Sequence, residues 1–157
     1  MIAALLLAAA LPACSPAQLR ASTGGDAGEF NGMSHSGTYL TLRNTGRRAC
    51  GVPGLPAVTF RDRAGRVLPA TRRAPVGMHP GPAVVPVTIP AGGTVRTGLR
   101  WVSGPVYDRN RCADAARVSA GVGGRQVSTP IRAHLCGEAG QPIGFEQAVL
   151  QRPSPRP

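Results

Sequence analysis

Short runs of alternating apolar and polar residues, separated by turn residues, dominate this chain. The clearest run covers residues 94–102, where Val95, Thr97, Leu99 and Trp101 share one face and two arginines share the other. A period of two residues is typical of a strand with one buried face. We therefore expect a strand here, with the single tryptophan in the core.

Seven other segments rich in Val, Leu, Ile, Thr or Phe lie between turn residues. We predict strands at residues 38–43, 57–61, 67–68, 84–89, 117–120, 131–136 and 143–145. Short connections favour antiparallel pairing, and many short strands with frequent turns are typical of a β-sandwich. The expected fold class is therefore all-β, an immunoglobulin-like antiparallel β-sandwich, with Trp101 beside the strand at 38–43.

The segments between these strands are predicted to be irregular. Glycines mark residues 21–33 as a loop, and prolines and glycines interrupt residues 50–56. Residues 62–66 are typical of a hairpin turn, with glycine where a positive φ is needed. Residues 69–82 are expected to form a long proline-rich crossing, and residues 114–116 a short helical turn.

The first 13 residues form an apolar run without charge. The run is shorter than the roughly 20 apolar residues of a spanning helix, and it ends in small residues, which is typical of an export signal. The alternative is a buried N-terminal helix. We predict a signal peptide at 1–13, a β-sandwich domain at 14–150 and a disordered Pro-rich tail at 151–157. The expected location is exported: periplasmic, cell-envelope or extracellular.

Four cysteines occur in the chain, at Cys14, Cys50, Cys112 and Cys136. No Cys-x-x-Cys pair is present and no histidine has a zinc-ligand spacing from them, so we expect no metal site. An even number of cysteines behind an export signal indicates disulfides. Of the three pairings we expect the sequential one, Cys14–Cys50 and Cys112–Cys136, with about 3–4 kcal/mol of stabilisation from each bond.

Cys14 has a second interpretation. The segment Leu11-Pro12-Ala13-Cys14 approximates a lipobox, in which the cysteine becomes a lipidated N-terminus, although Pro12 fits that motif poorly. Lipidation would leave Cys50 without a partner. Contact with a membrane is expected only in this case.

The chain carries a net charge of +11, and every basic side chain is arginine. Biased codon usage explains this as well as an anion-binding surface does, although the arginine fork suits phosphate and carboxylate. The candidate anion-binding residues are Arg61, Arg63, Arg66, Arg72 and Arg73. Aromatic residues make up 4% of the chain and none interleaves with these arginines, so nucleic acid is not an expected partner. The partner we expect is an anionic envelope polymer or another envelope protein.

No catalytic constellation is recognisable. His35, His79 and His134 have neither triad nor ligand spacing, and the seven carboxylates are scattered along the chain. No glycine-rich loop opens a helix, so no cofactor is expected. We therefore predict no catalytic residues and no enzymatic activity.

Several motifs together resemble the exported bacterial domains grouped as Domain of Unknown Function 4232. They are Cys14 to Leu19, Leu42-Arg43-Asn44-Thr45-Gly46, Cys50 to Pro56, Asp62 to Gly65, Ile89 to Gly93, Leu99 to Trp101, Cys112 and Cys136. The resemblance implies an immunoglobulin-like sandwich and supports the sequential disulfide pairing, with Cys14 as a domain cysteine. Leu55 departs from the family, which often has an aromatic residue there. The family brings no established activity.

Three hypotheses for the function follow. The leading one is a non-catalytic, exported envelope or extracellular module for binding or structure. The second is a secreted hydrolase whose carboxylate pair is brought together only by the fold. The third is a binder of anionic envelope polymers or lipids that uses the arginines between 61 and 73.

Overall fold

The computed structural model describes residues 10–25, 29–74 and 83–154. Within these ranges the chain forms ten strands and one short 3-10 turn at Pro16–Gln18. The strands are β1 Leu19–Gly24, β2 His35–Asn44, β3 Cys50–Val52, β4 Val58–Arg61, β5 Ala70–Arg72, β6 Val87–Ile89, β7 Thr94–Val102, β8 Asn110–Val122, β9 Arg125–Glu138 and β10 Ile143–Gln147. The prediction of an all-β chain is confirmed. No helix in these ranges has the length and apolarity to cross a membrane.

The strands form two main sheets in a sandwich-like arrangement. One sheet has five strands in the order β1-β2-β7-β10-β5, and the other has three in the order β4-β8-β9. β3 and β6 pair with each other and form a separate two-stranded ribbon. The named strands pair antiparallel except for β5 and β10, which run parallel. The sandwich prediction is confirmed, and its antiparallel pattern has this one exception at the edge of the larger sheet.

The strand with the clearest alternation, β7, behaves as its sequence predicts. Val95, Thr97, Leu99 and Trp101 are buried, and Arg100 on the opposite face is exposed. The strand pairs along nine residues with β2. Trp101 therefore lies in the core beside β2, as expected.

Phe60 of β4 joins the two sheets. Its ring packs edge to face against Trp101 of β7, with centroids 6.0 Å apart, and against Phe145 of β10, with centroids 5.2 Å apart. All three rings are buried. Edge-to-face contacts add about 0.5–1.5 kcal/mol beyond the apolar area that the rings bury. One side chain of the small sheet thus fixes the position of two strands of the large one.

Two short strands lie where the sequence predicted loops. β1 extends to residue 24, into the segment 21–33 predicted as glycine-rich loop, and it pairs with β2 over its whole length. β3 occupies the start of the segment 50–56, which was predicted to be irregular, and pairs with β6. Both strands gain their order from neighbours distant in sequence, and their own residues carry little apolar alternation.

Three other expectations are wrong in their extent. The strand predicted at 84–89 forms only after Pro86, because proline cannot donate to a ladder. The crossing predicted at 69–82 contains β5, and its residues 75–82, with His79, lie outside the described ranges. Residues 114–116, predicted as a helical turn, are part of β8, where pairing with β9 keeps them extended.

Both disulfides form in the predicted pairing. Cys14 is bonded to Cys50 and Cys112 to Cys136, which leaves no cysteine free. A sulfur in a disulfide cannot also carry a thioether lipid, so this bond and the lipobox interpretation exclude each other. Cys14 and Cys50 belong to the buried core, at 2% and 1% exposure.

Asn44, at the end of β2, organises the polar part of this region. Its side-chain amide donates to the backbone oxygens of Arg48 and Ile89, and its Oδ1 accepts from Gly46 N–H and from Gln18 Nε2. Asn44 is completely buried. A buried amide is tolerated because its donors and acceptor all have partners.

The chain remains paired at both margins of the predicted domain. Pro12 and Ala13, assigned from sequence to the leader, pair with Gly51 of β3. Gln151, the first residue of the predicted tail, pairs with Arg96 through two backbone hydrogen bonds. Residues 1–9 and 155–157 lie outside the described ranges.

Replacing Phe60 by alanine tests the contact between the sheets. We expect F60A to lower the free energy of unfolding by about 3–5 kcal/mol, because the change leaves a cavity between Trp101 and Phe145. The matched control is F30A, since Phe30 is only half-buried and packs on Tyr39 outside the core. Its cost should stay below about 2 kcal/mol. Urea unfolding followed by tryptophan fluorescence measures both, and equal costs would contradict the assignment.

Replacing Asn44 by alanine tests the buried amide network. We expect N44A to cost about 2–4 kcal/mol, because the buried Ile89 carbonyl and the part-buried Arg48 carbonyl lose their donor and an N–H loses its acceptor. The control R43A changes the exposed neighbour on the same strand and should stay within about 0.5 kcal/mol of the parent. Urea unfolding measures the free energy of unfolding of both variants. If N44A loses no more of it than R43A does, the network is not needed for stability.

Candidate functional site

A groove lies along β8 and β9, just beyond the point where β4 leaves the small sheet. The last pair between β4 and β8 is Arg61 with Arg117. From there the chain turns away, and a groove of about 710 Å³ opens between the turn and the two long strands. Its polar lining consists of Asp62, Arg63 and Arg66 from the turn, Asp114 from β8, and Arg132 and His134 from β9.

A bulge in β9 lies in the wall of the groove. Between the pairs Ala115–Ala133 and Arg117–Pro130, the single residue Ala116 of β8 lies opposite two residues of β9, Ile131 and Arg132, and all three line the groove. Bulges bend a strand and redirect its side chains, and they are frequent next to binding sites. The groove therefore depends on two irregularities at one place, the end of β4 and the bulge.

The turn after β4 is held by its own charged residues. Asp62 accepts hydrogen bonds from the Arg66 backbone N–H at 2.9 Å and from its Nε at 2.8 Å. Gly65 takes a positive φ of 80°, as predicted, and the Arg61 guanidinium donates to its carbonyl. Arg61 and Arg66 are therefore engaged within the turn.

The same contacts shift the acidity of Asp62. The hydrogen bond from the Arg66 backbone N–H is the largest of the causes that hold the pKa of Asp62 below its ordinary value of 3.8, and the Arg66 guanidinium adds to it against a partial loss of solvation. The carboxylate therefore stabilises the turn fully above the ordinary pKa. That contribution is lost as the pH falls through the lowered value.

A second charged pair lies on the exposed face of β8 and β9. Asp114 and His134 face each other in the ladder, and the His134 Nδ1–H donates to Asp114 Oδ1 at 2.7 Å. Their side chains are 85% and 52% exposed, respectively. A pair this exposed adds little to stability.

The five candidate anion-binding arginines do not lie together. Arg63 and Arg66 line the groove and Arg61 lies at the base of its turn. The other two lie near β10: Arg72 donates to Gln147, and Arg73 donates to the Tyr107 hydroxyl while its guanidinium crosses Gly144. A Cβ at Gly144 would collide with that guanidinium, so a larger residue there would require the Arg73 side chain to move.

Arg132 belongs to the groove but was not a candidate from the sequence. The two-residue period of a strand could have identified it, because Arg132 lies two residues before His134 and therefore on the same face of β9. Neither Arg63 nor Arg132 makes a hydrogen bond or ion pair within residues 10–25, 29–74 and 83–154. Their guanidinium groups are therefore available to a ligand.

Two of the scattered carboxylates meet at this groove, Asp62 and Asp114. The sequence offered no means to select them, because they are brought together only by the departure of β4 from the sheet. His35, for which the sequence predicted no catalytic or metal-binding role, begins β2, and its ring contacts the Met33 carbonyl.

A cluster of possible metal ligands adjoins the groove. The ligand atoms of Cys112, His134 and Cys136 lie within 4.8 Å of one another. These residues do not have zinc-finger spacing in the sequence, so the cluster was not predicted. On a strand, residues 134 and 136 share a face, and the disulfide places residue 112 opposite them.

Comparison with known families matches residues 14–146 to the family described as Domain of unknown function (DUF4232). The chain belongs to this family. Neither the search of curated proteins nor that of solved structures gives a match. Both disulfides, the groove and the cysteine–histidine cluster lie within the DUF4232 region, so the resemblance seen in the sequence is confirmed.

The acidity of Asp62 tests the geometry of the turn in this DUF4232 domain. We expect its pKa, followed by NMR of the carboxyl carbon, to lie below 3.8, and to remain below it in R66A because alanine keeps the backbone N–H. The difference in this pKa between R66A and the parent protein measures the smaller contribution of the Arg66 guanidinium. A value at or above 3.8 in the parent would contradict the hydrogen bonds of the turn.

Proposed function

We propose that this protein is an exported, non-catalytic module that binds an anionic envelope polymer in the groove between the 62–66 turn, β8 and β9. The observation that carries the proposal is which charged side chains of the groove already have a partner. Both carboxylates of the groove are engaged, Asp62 by Arg66 and Asp114 by His134, while Arg63 and Arg132 make no polar contact within the described residues. The groove therefore presents unneutralised guanidinium groups.

The shape of the groove supports an extended ligand. A second depression of about 430 Å³ continues from the first and shares Arg63, Ala116, Ile131 and Arg132 with it. The two form one trough with the unpaired arginines along its middle. A trough of this kind suits a chain molecule better than it suits a compact one.

The chemistry of the charges supports phosphate or carboxylate groups on that chain. Arginine binds either group through paired, charge-assisted hydrogen bonds. The net charge of +11 adds a long-range attraction for polyanions. Export is supported by the two disulfides, since such bonds persist in oxidising compartments.

A hydrolase is supported less well by the same groove. A general acid needs a carboxyl with a raised pKa, but the hydrogen bonds of the turn lower the pKa of Asp62. The Asp114 carboxylate is bound to His134 instead of facing an empty position. The two acids are therefore placed as partners of neighbouring cations.

Binding to polymers tests the proposal. We expect polygalacturonate or polyphosphate to bind, neutral dextran not to bind, and the affinity to fall as salt increases. The variant R63E/R132E should bind at least about tenfold more weakly, because two charge-assisted contacts are lost. The matched control R47E/R48E changes the net charge equally at two exposed arginines outside the groove. Isothermal titration calorimetry measures all of these affinities.

Three outcomes would refute the proposal. They are absence of binding to both polyanions, an equal loss of affinity in the two double variants, and turnover of either polymer by the parent protein. Equal losses would mean that only the net charge attracts polyanions. The two polymers separate carboxylate from phosphate as the preferred group.

A further inference from the structure

The two disulfides of this protein lie in different surroundings. The Cys14–Cys50 bond is part of the buried core. The Cys112–Cys136 bond lies outside that cluster, across two adjacent strands, with Cys112 exposed at the surface and Cys136 buried at 0% exposure. A thiol–disulfide exchange reaction requires access to a sulfur atom, so the second bond is the one open to a soluble reductant, from the Cys112 side.

Polar side chains capable of metal binding surround the accessible disulfide. Cys112 faces Cys136 and Asp114 faces His134 in successive same-face pairs of the β8–β9 ladder. The two sulfurs and a ring nitrogen of His134 lie within 4.8 Å of one another. Tetrahedral zinc, with bonds of about 2.3 Å to sulfur and 2.0 Å to nitrogen, places its donors roughly 3.5–4 Å apart, so small side-chain rotations reach that arrangement.

Asp114 completes the arrangement as a positioning residue. It accepts the Nδ1–H of His134, which leaves the Nε2 lone pair for a metal. A carboxylate behind a metal-binding histidine fixes the tautomer and the orientation of the ring and raises its basicity. Two thiolates and one imidazole form a donor set that zinc favours over calcium or magnesium.

We propose that Cys112, Cys136 and His134 form a redox-controlled site for Zn²⁺ or a similar thiophilic cation, closed by the disulfide and opened by reduction. A dithiol reductant transfers two electrons and two protons to the Cys112–Cys136 bond and becomes a disulfide itself. The two thiols then bind Zn²⁺ as thiolates and release two protons to solvent. The fourth metal position is left to water. The proposal is independent of polymer binding in the groove.

Cobalt is a probe for this site, because tetrahedral thiolate coordination gives intense visible and charge-transfer bands. The protein is reduced with a phosphine, freed of reductant under argon, and assayed for thiols. We expect two thiols per chain, from the accessible pair. One Co²⁺ per reduced chain should then develop these bands, and Zn²⁺ should displace it. The oxidised protein should show no such bands.

Two variants separate a built site from adventitious binding to thiols. H134Q should weaken Co²⁺ binding at least about tenfold, and D114N should weaken it about tenfold while the thiolate charge-transfer band remains. The matched control H35Q changes a half-buried histidine on β2, outside the cluster, and should leave the affinity unchanged. Tryptophan fluorescence and circular dichroism verify that each reduced variant is folded.

Zinc should also raise the thermal midpoint of the reduced protein but not that of the oxidised protein, because a ligand stabilises only the state that binds it. The proposal is overturned by any of four results. These are absence of the cobalt bands after reduction, the same bands in oxidised protein, unchanged affinity in H134Q, and a reduced chain that stays unfolded with Zn²⁺ present.

Discussion

The insertion of Phe60 between Trp101 and Phe145 is the contact on which the remaining structure depends. It is the place where the three-stranded sheet is fixed against two strands of the five-stranded one. The next residue, Arg61, is the last of β4 to pair with β8. The anchored phenylalanine therefore determines where β4 ends, and the turn at 62–66 starts from that fixed point. The groove owes its position to this core contact, although none of the three rings lines it.

The two ends of the sandwich are stabilised in different ways. At one end Asn44, Gln18 and the Cys14–Cys50 bond form a connected polar network, in which Gln18 Nε2 also contacts the Cys50 sulfur. Burial makes that end costly to change, because each group lost would leave another without a partner. At the other end Cys112, Asp114 and His134 are exposed on an outer face. Of the two disulfides, the one that a soluble reagent can reach therefore lies on the β8–β9 ribbon.

The alternation of β7 could be predicted because large apolar residues mark its buried face. The same logic failed for β1, where Leu19 is the only large apolar residue and the strand is ordered by pairing with β2. It failed again at Asp114 to Ala116, since alanine runs have helical propensity and only the β9 partner keeps them extended. The turn at 62–66 was predictable from local chemistry, because Asp62, Gly65 and Arg66 make their contacts within five residues.

The groove itself could not be derived from the sequence, because its charged residues come from three separate segments. Arg63 was a candidate by composition, but Arg132 was not, and Arg73 proved to be engaged with Tyr107. What decides the role of an arginine here is whether a neighbour already satisfies its guanidinium. That property depends on contacts between distant residues, so arginine clusters in a sequence overestimate the size of an anion site.

Asp114 and His134 belong both to the groove and to the proposed metal site, which raises the question of how one affects the other. Binding of Zn²⁺ to two thiols releases two protons, so the net charge of the site is the same as that of the disulfide with a neutral histidine. The electrostatic attraction of the groove for a polyanion therefore does not depend on the redox state. Any coupling must act through the orientation of the His134 ring and the Asp114 carboxylate that holds it. Coupling of that kind is geometric, and it is limited to ligand groups that contact the His134 end of the groove.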